Sequence, residues 1–443
     1  MTALARARSL PMWRAFSVAD FRLLWISEAV SVLGDQFHYV ALSWLVVSVT
    51  GSGLALGTVL IAVGVPRAIL LVPFGVLADR WPARTLMVGA HVVRGLIVGV
   101  IAALAVTGNA SIPALAILGA LFGAADAAYL PAQQAFLPRT VEADRLPSAN
   151  ALLQGTLQLA SIAGPPLAGV VIAIAGTGAA FTVDAASFAV AAVVVLLMRP
   201  RGGEPAGPVG AEALQAPAVP QVPAAPTTSF RDELLAGIRH VAADPAIRTL
   251  MLIALVLNFA LNGPAAVGMA WLAVRRFDAG PAGLGLMAAG WAAGALVGTV
   301  VAGNIRLERQ GRVVLGAVAA GGLMMAAVGV LPALPGVVVV LVVMGTAIGY
   351  VNVVAVSWIQ ARVEPAMVGR VMSLVMLMSA GITPLSLGLS GVLIDLDATA
   401  LFVGAGAITV VTALAAAAMH LPAMLDERPA AIGATIRGSS EGA

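Results

Sequence analysis

Along most of this chain apolar residues do not alternate with polar ones; they run on. Twelve such runs can be marked, at 23–47, 54–77, 85–106, 112–135, 148–173, 179–198, 249–273, 282–303, 313–332, 337–359, 367–392 and 399–420. Each is about 20 residues long, the length at which an α-helix crosses a bilayer. Outer-membrane barrels need shorter segments with a two-residue alternation, which is not the pattern here. The runs therefore predict an all-α membrane protein with 12 transmembrane helices. Residues 200–228 break the pattern, with seven prolines and no aromatic side chain, a composition that favours a linker over a packed element. The segment after it, SFRDELLAGIRHVAADPAIR, sets Ser229 and Asp232 as an N-cap pair before Leu234, Leu235, Ile238 and Val241 on one helical face. A short amphipathic helix at the membrane surface is expected there.

The expected organisation is an N-terminal tail (1–22), a six-helix bundle (23–198), a disordered linker (199–228), an amphipathic helix (229–248), a second six-helix bundle (249–420) and a C-terminal tail (421–443). The two bundles echo each other. QQAFLPRTVEADRL (133–146) and WIQARVEPAMVGRV (358–371) share Gln, Ala, Arg and an acid in similar order, and Arg139 and Arg362 lie 223 positions apart. Asp79-Arg80 and Glu308-Arg309 are separated by 229 positions. Two similar offsets point to a duplicated six-helix unit, as in transporters built from parallel repeats.

Composition narrows the chemistry. Only 10% of the 443 residues are charged and the mean hydropathy is +1.00, whereas about a quarter of a soluble domain is charged. The chain has no Cys, which excludes disulfides and thiolate metal sites. All 24 basic residues are Arg, which excludes the phosphate-binding Lys of a P-loop and any Schiff-base Lys. The arginines sort by side: twenty fall before the first run, at even-numbered connections or in the C-terminal tail, and only Arg275 and Arg276 fall on the opposite side. By the positive-inside rule both termini are cytoplasmic. This sorting, rather than one basic patch, is why the net charge of +3 does not point to nucleic acid. The N-terminal tail lacks a small-residue cleavage site and reads as retained.

GVLADRWPAR (75–84) follows the second run. It resembles the loop signature of the major facilitator superfamily, G-x-x-x-D-R with further basic residues; Gly75, Asp79, Arg80 and Arg84 match, while Pro82 stands at a usual Gly and Ala83 at a usual basic position. GTLQLASIAGPPLAG (155–169) resembles the antiporter motif of the superfamily's exporters; Gly155, Gly164, Pro165 and Gly169 match, and Ala160 and Ala168 replace glycines. The resemblance covers all twelve runs and is similar to bacterial 12-helix drug and siderophore exporters. It implies the major facilitator fold, two pseudo-repeated halves of six helices. It also implies that 75–84 is a conformational gate favouring the outward-open state, and that 155–169 is a hinge where small residues allow close packing and Pro bends the helix. The Arg-containing fourth-helix motif of many proton antiporters is absent.

Charges inside the runs are costly, so each raises a functional question. The first half carries Glu28, Asp35, Arg67, Arg94, Asp126 and Asp184 within its runs. Counting about 1.5 Å per residue from the cytoplasmic ends places Arg67, Arg94 and Asp126 roughly 14–15 Å deep and Asp35 near ~18 Å. Comparable depth on four helices favours one polar cluster, either a static ion pair such as Arg94–Asp126 or a proton-coupling site. A carboxylate whose ion pair breaks during a conformational change can bind a proton on one side and release it on the other. Asp35 is the first choice for that role and Asp126 the second, with Arg67 and Arg94 as partners. His38 and His91 have no second ligand at chelating spacing and read as interface or structural residues. The substrate cavity that the resemblance implies lies between the halves, with Gln36, Asn258, Asn262 and Asn352 as polar candidates. Met372, Met376 and Met378 read mainly as packing.

The expected function is secondary active transport: proton-coupled efflux of small amphipathic molecules, a drug, antibiotic or siderophore, by alternating access. The alternatives are a facilitator or importer of a small metabolite, and a non-transporting receptor of the same fold. The expected partners are a small-molecule substrate, protons and the lipid bilayer, with no nucleic acid, in a monomer of a bacterial-type inner membrane. No enzyme activity, cofactor or metal is expected, because no nucleophile–base or metal constellation stands out.

Overall fold

The computed structural model describes residues 15–198, 238–239, 241–305, 310–363, 365–419, 421 and 425. Most of the N-terminal tail, the linker, the Ser229/Asp232 cap, Glu308-Arg309 and nearly all of the C-terminal tail lie outside the described residues. So do the side chains of Asp79 and Met376, which are placed by backbone alone.

The apolar runs become helices and, among the described residues, no strand. They are α1 (Ala19–Thr50), α2 (Gly53–Arg80), α3 (Ala83–Val106), α4 (Ile112–Thr140), α5 (146–175), α6 (177–197), α7 (Pro245–Arg276), α8 (Gly280–Asn304), α9 (Gln310–Val330), α10 (Leu334–Arg362), α11 (Pro365–Leu396) and α12 (Ala398–Ala418). Eleven helical runs among the described residues are long and apolar enough to cross a membrane. One of them, Leu146–Leu197, has 52 residues; at 1.5 Å each it would reach about 78 Å, far more than a ~30 Å hydrocarbon core. It holds two spans. Gly176, at φ 81° and ψ 170°, breaks it in a conformation open to glycine and strongly disfavoured for other residues. The connection expected between 173 and 179 is thus a single residue.

Side chains fix several of the ends. Ser52 accepts from the Ala55 amide and Ser111 from the Ala114 amide, while Asp397 accepts from Ala400, each satisfying a donor that the first helical turn leaves unpaired. In α7, Pro264 lacks an amide hydrogen, and the helix widens into π-turns at Pro264–Gly268 and Leu272–Arg276.

Packing divides the chain into two compact units. The first holds α1–α6 together with residues 265–289 and 387–396; the second holds the remaining parts of α7, α8 and α11 with α9, α10 and α12. In the first, α2 lies on α4 and α3 on both α4 and α6. In the second, α9 lies on α10 and α12. The α2–α4 seam is close because Gly119 and Gly123 face Val63, and the α8–α10 seam because Gly294 and Gly298 face Val342 and Thr346. The same helix pairings therefore recur six helices apart, as a duplicated unit requires.

Each unit has its own apolar core. In the first, Phe21, Leu24, Met87, Ala132 and Phe136 pack around the end where α1 begins and α2 finishes, here the near face. In the second, Ile247, Leu250, Trp358 and Val371 form the corresponding cluster. Large apolar side chains such as Leu96, Ile174 and Leu414 are exposed, the reverse of a soluble surface and suited to contact with lipid.

At the opposite, far face, the first unit is closed by a polar cap. The Asp395 carboxylate, in the last turn of α11, accepts from Ser52 Oγ at 2.7 Å, the Gly53 amide at 2.7 Å and the Leu54 amide at 3.1 Å. These are unpaired donors of the first turn of α2, where the helix dipole also favours an anion.

Candidate functional site

Four carboxylates and two guanidinium groups lie within the spans of α1–α6, and the fold brings most of them together. Arg94 on α3 is 1% exposed. Its Nη1 donates to Asp126 Oδ1 at 2.7 Å and its Nη2 donates to His91 Nδ1 at 3.1 Å. The second bond makes Nδ1 the acceptor, so the His91 proton resides on Nε2. The Arg94 guanidinium also lies over the rings of Phe188 (4.4 Å) and Tyr129 (4.8 Å), which stabilise a desolvated cation. Asp126 receives a second cation on its other oxygen, Arg67 Nε at 3.0 Å. The two arginines differ in setting: the Arg67 side chain is 46% exposed and that of Arg94 only 2%.

The expected equal-depth cluster of Arg67, Arg94 and Asp126 therefore exists as one carboxylate held between two guanidinium groups. Asp35, on α1, is half-buried and has no ion-pair partner among the described residues. It lies within electrostatic reach of Arg94, Asp184, Asp126 and Glu28. Its freedom from a guanidinium sets it apart from Asp126.

Two further acids have roles that sequence alone did not assign. Glu28 Oε2 accepts from the Tyr129 hydroxyl at 2.5 Å, linking α1 to α4. Asp184, fully buried on α6, stands with Oδ2 3.2 Å from Nδ1 of the fully buried His38. Both positions lie within runs, which marked them as costly, but only the meeting of α1 with α4 and α6 identifies their partners.

The candidate gate is partly resolved into contacts. Arg84 donates through Nε to the Val195 carbonyl at 3.2 Å and through Nη2 to the Leu196 carbonyl. It thereby binds carbonyls at the C-terminus of α6, where a cation is favoured; the Val195 carbonyl also accepts the Met198 amide. Arg80 is exposed. Gly75 has nothing within 4 Å of where a Cβ would stand, so no close approach requires a glycine there in this state.

In the antiporter-like segment the glycines differ from one another. A Cβ at Gly164 would stand 2.5 Å from Gln36 Cβ on α1, and one at Gly169 would stand 2.6 Å from the Pro281 carbonyl at the start of α8. Across the same α5–α8 seam, a Cβ at Gly285 would overlap the Pro165 carbonyl. Gly155 has open space. Close packing is thus confined to 164–169.

Of the polar cavity candidates, Gln36 is half-buried beneath Gly164. Asn258 donates to the Ala254 carbonyl of its own helix at 2.8 Å, and Asn262 donates to Asn258 Oδ1 at 3.2 Å and Thr383 Oγ1 at 3.4 Å. Those two tie α7 to itself and to α11. Asn352 on α10 is exposed. Among the described residues no three His, Asp or Glu side chains stand together as a metal site.

With a helical membrane fold and a charged cluster inside it, the comparison with known proteins is decisive. The family model of the Major Facilitator Superfamily matches residues 24–385. The chain belongs to this superfamily. This major facilitator is a multi-pass membrane transporter whose family moves small molecules. The multidrug efflux pump Tap of Mycolicibacterium fortuitum is 25% identical to it over 369 residues, covering 82% of this chain and 86% of that protein. Among solved structures, a variant of the nucleoside transporter NupG superposes with a TM-score of 0.69 at 15% identity, covering 90% of this chain and 99% of that one. A POT family transporter in complex with 5-aminolevulinic acid superposes with a TM-score of 0.69 at 11% identity, covering 93% and 97%. At such identities these structures speak for the fold alone.

Proposed function

We propose that this major facilitator is a proton-coupled exporter of small amphipathic molecules in a bacterial inner membrane, working as a monomer with both termini cytoplasmic. The observation that carries the reading is the charge arrangement in α1–α4. One carboxylate, Asp126, is neutralised by two guanidinium groups, while Asp35 lies nearby with none. A carboxylic acid without a fixed cation in a low-dielectric setting is stable when protonated and becomes an anion only when water or a cation reaches it. Alternating access supplies that change of surroundings, and Asp35 then carries the coupling proton. Arg67, half-exposed and bonded to Asp126, is the mobile member of the cluster; Arg94 is the fixed one.

The 25% identity to a multidrug efflux pump across most of both chains supports export as the direction. The chain is 60% hydrophobic and only 10% charged, which suits an amphipathic cargo better than a sugar or phosphate. Gln36, Asn258, Asn262 and Asn352 are the polar positions assigned to it. Segment 75–84 serves as the gate, with Arg84 anchoring the start of α3 to the end of α6.

The test is expression in a host lacking its own efflux pumps, with ethidium and a panel of antibiotics and siderophores as probes. The proposal requires lower accumulation of at least one probe, and a protonophore must abolish the effect. Export unaffected by the protonophore would refute proton coupling. Net uptake would refute export and favour an importer or facilitator, and specific ligand binding without transport would favour a receptor.

A further inference from the structure

The charge balance in the membrane-embedded part of α1–α6 does not close without protons. Glu28, Asp35, Asp126 and Asp184 are four carboxyl groups facing two cations, Arg67 and Arg94. Asp126 is held by both arginines. Glu28 takes the Tyr129 hydroxyl and lies in the field of Arg94. That assignment uses both positive charges and leaves Asp35 and Asp184 over. An unbalanced anion in a dry site is costly, so each of these two positions needs a proton.

Asp184 has a built means of holding one. Its carboxylate and the His38 imidazole are both fully buried, with Nδ1 3.2 Å from Oδ2. The His38 ring stacks on Phe122 at 4.4 Å between centroids and 7° between planes, and meets the edges of Phe181 and Tyr39. Neither ring nitrogen, nor Asp184 Oδ2, has an aligned hydrogen-bond partner. The backbone makes room for this approach. A Cβ at Gly34, one helical turn before His38, would overlap Ser187 Oγ and stand 2.7 Å from Asp184 Oδ1. A neutral imidazole beside an ionised Asp184 would leave an uncompensated anion, met only by Ser187 Oγ at 3.5 Å; an imidazolium balances it and is itself favoured by the face of Phe122.

We propose that His38 and Asp184 form a second proton-binding site, separate from Asp35, that holds one proton as an imidazolium–carboxylate pair. Of the surrounding ionisable groups, Tyr39 on α1 meets the His38 ring and Asp35 on α1 lies within electrostatic reach of Asp184; Arg94 on α3, Asp126 on α4 and Glu28 on α1 lie within reach of Asp35 in turn. Proton release needs only that water reach the pair when α1 and α6 move apart; the proton passes from the imidazole nitrogen to water, and no other bond changes. Resting on the proton-coupled reading above, the consequence is two protons per exported molecule, one on Asp35 and one on this pair.

The decisive experiment is ¹⁵N NMR of the purified full chain in lipid nanodiscs at neutral pH, with His38 assigned by the loss of its signals in His38→Gln. Both His38 ring nitrogens are expected to be protonated in the wild type, and the ring is expected to become neutral in Asp184→Asn. A His38 ring with a single protonated nitrogen in the wild type overturns the proposal. Because single variants at a buried pair can fail to fold, His38→Gln with Asp184→Asn provides a charge-neutral alternative. On alkalinisation, followed with a pH-indicator dye, it should release about one proton fewer per chain than the wild type; an equal release also overturns the proposal. The two readings fail separately. An imidazolium at His38 with export indifferent to a protonophore removes the function and leaves the site, whereas protonophore-sensitive export with a neutral His38 removes the site and leaves the function.

Discussion

Replacing Asp126 by Asn removes the single anion shared by two cations, and the structure indicates which cation suffers. At an effective dielectric of about 20, unit charges 2.7 Å and 3.0 Å apart attract by roughly 6 and roughly 5.5 kcal/mol. Distance therefore does not rank Arg94 above Arg67; exposure does. Arg67 is 46% exposed and can be hydrated when its partner is lost, so its pair is worth little more than a surface one, below about 1 kcal/mol. Arg94 is almost fully buried, and a buried cation stripped of its partner typically costs about 3–5 kcal/mol. Asp126→Asn should accordingly lower the unfolding free energy by about 3–5 kcal/mol and Arg67→Gln by less than about 1 kcal/mol. Adding Arg94→Met to Asp126→Asn should recover most of the loss, because it removes the stranded charge. The assay is reversible unfolding in mixed micelles, with denaturant midpoints compared at constant slope. Equal losses for Asp126→Asn and Arg67→Gln, or no recovery in the double variant, would refute the division into a fixed and a mobile arginine.

Three further outcomes are expected. Asp395→Ala removes the anion that caps α2, and at about 1.5 kcal/mol for one charge-assisted bond the far-face closure should loosen on the order of tenfold. Because the native chain has no cysteine, maleimide labelling of Ile394→Cys, buried against Gly53, reads this directly, and unchanged labelling would deny the cap that role. Asp244 accepts from Arg362 Nε at 2.7 Å. Partial burial pushes its carboxyl up, but Arg362 and the amides of Ile247 and Ala246 outweigh this and hold it below the usual carboxylate value. Its stabilisation is therefore complete above about pH 5 and fades as pH falls below about 4, so the thermal stabilities of wild type and Asp244→Asn should converge on acidification; a constant gap would contradict the assignment. Within the antiporter-like segment, Gly169→Ala should destabilise by about 1–3 kcal/mol because its methyl meets the Pro281 carbonyl. Gly155→Ala, in open space, should be neutral or stabilise by up to about 1 kcal/mol; similar effects at both sites would show that the seam tolerates the methyl.

The fold was legible in the sequence because a bilayer imposes length. Each span must be about 20 apolar residues, and each charge within one stands out. The common rise per residue also allowed Arg67, Arg94 and Asp126 to be matched by depth before any contact was known. Helix rotation leaves no such mark. Nothing in one dimension tells which face of α1 meets α6, so the His38–Asp184 contact, made possible by Gly34, could not be read. Likewise, the close approach of Gln36 to Gly164, which joins α1 to α5, leaves no mark in one dimension. Asp395 lies just past the end of the run at 367–392 and carried no assignment; α11 continues to Leu396 and places it on the first turn of α2. The break between α5 and α6 is one residue because Gly176 reverses the backbone without a loop.

The central claim is that a proton on Asp35 drives export, and reconstituted vesicles test it most directly. Wild-type chain and Asp35→Asn are each reconstituted, and two fluxes of a probe established as exported, such as ethidium, are measured. One flux is exchange between equal concentrations on both sides, and the other is uphill movement driven by an imposed pH difference. The account predicts that the wild type supports both and that Asp35→Asn keeps exchange but loses uphill movement. Uphill movement that survives in Asp35→Asn, or a wild type indifferent to the pH difference, would contradict it.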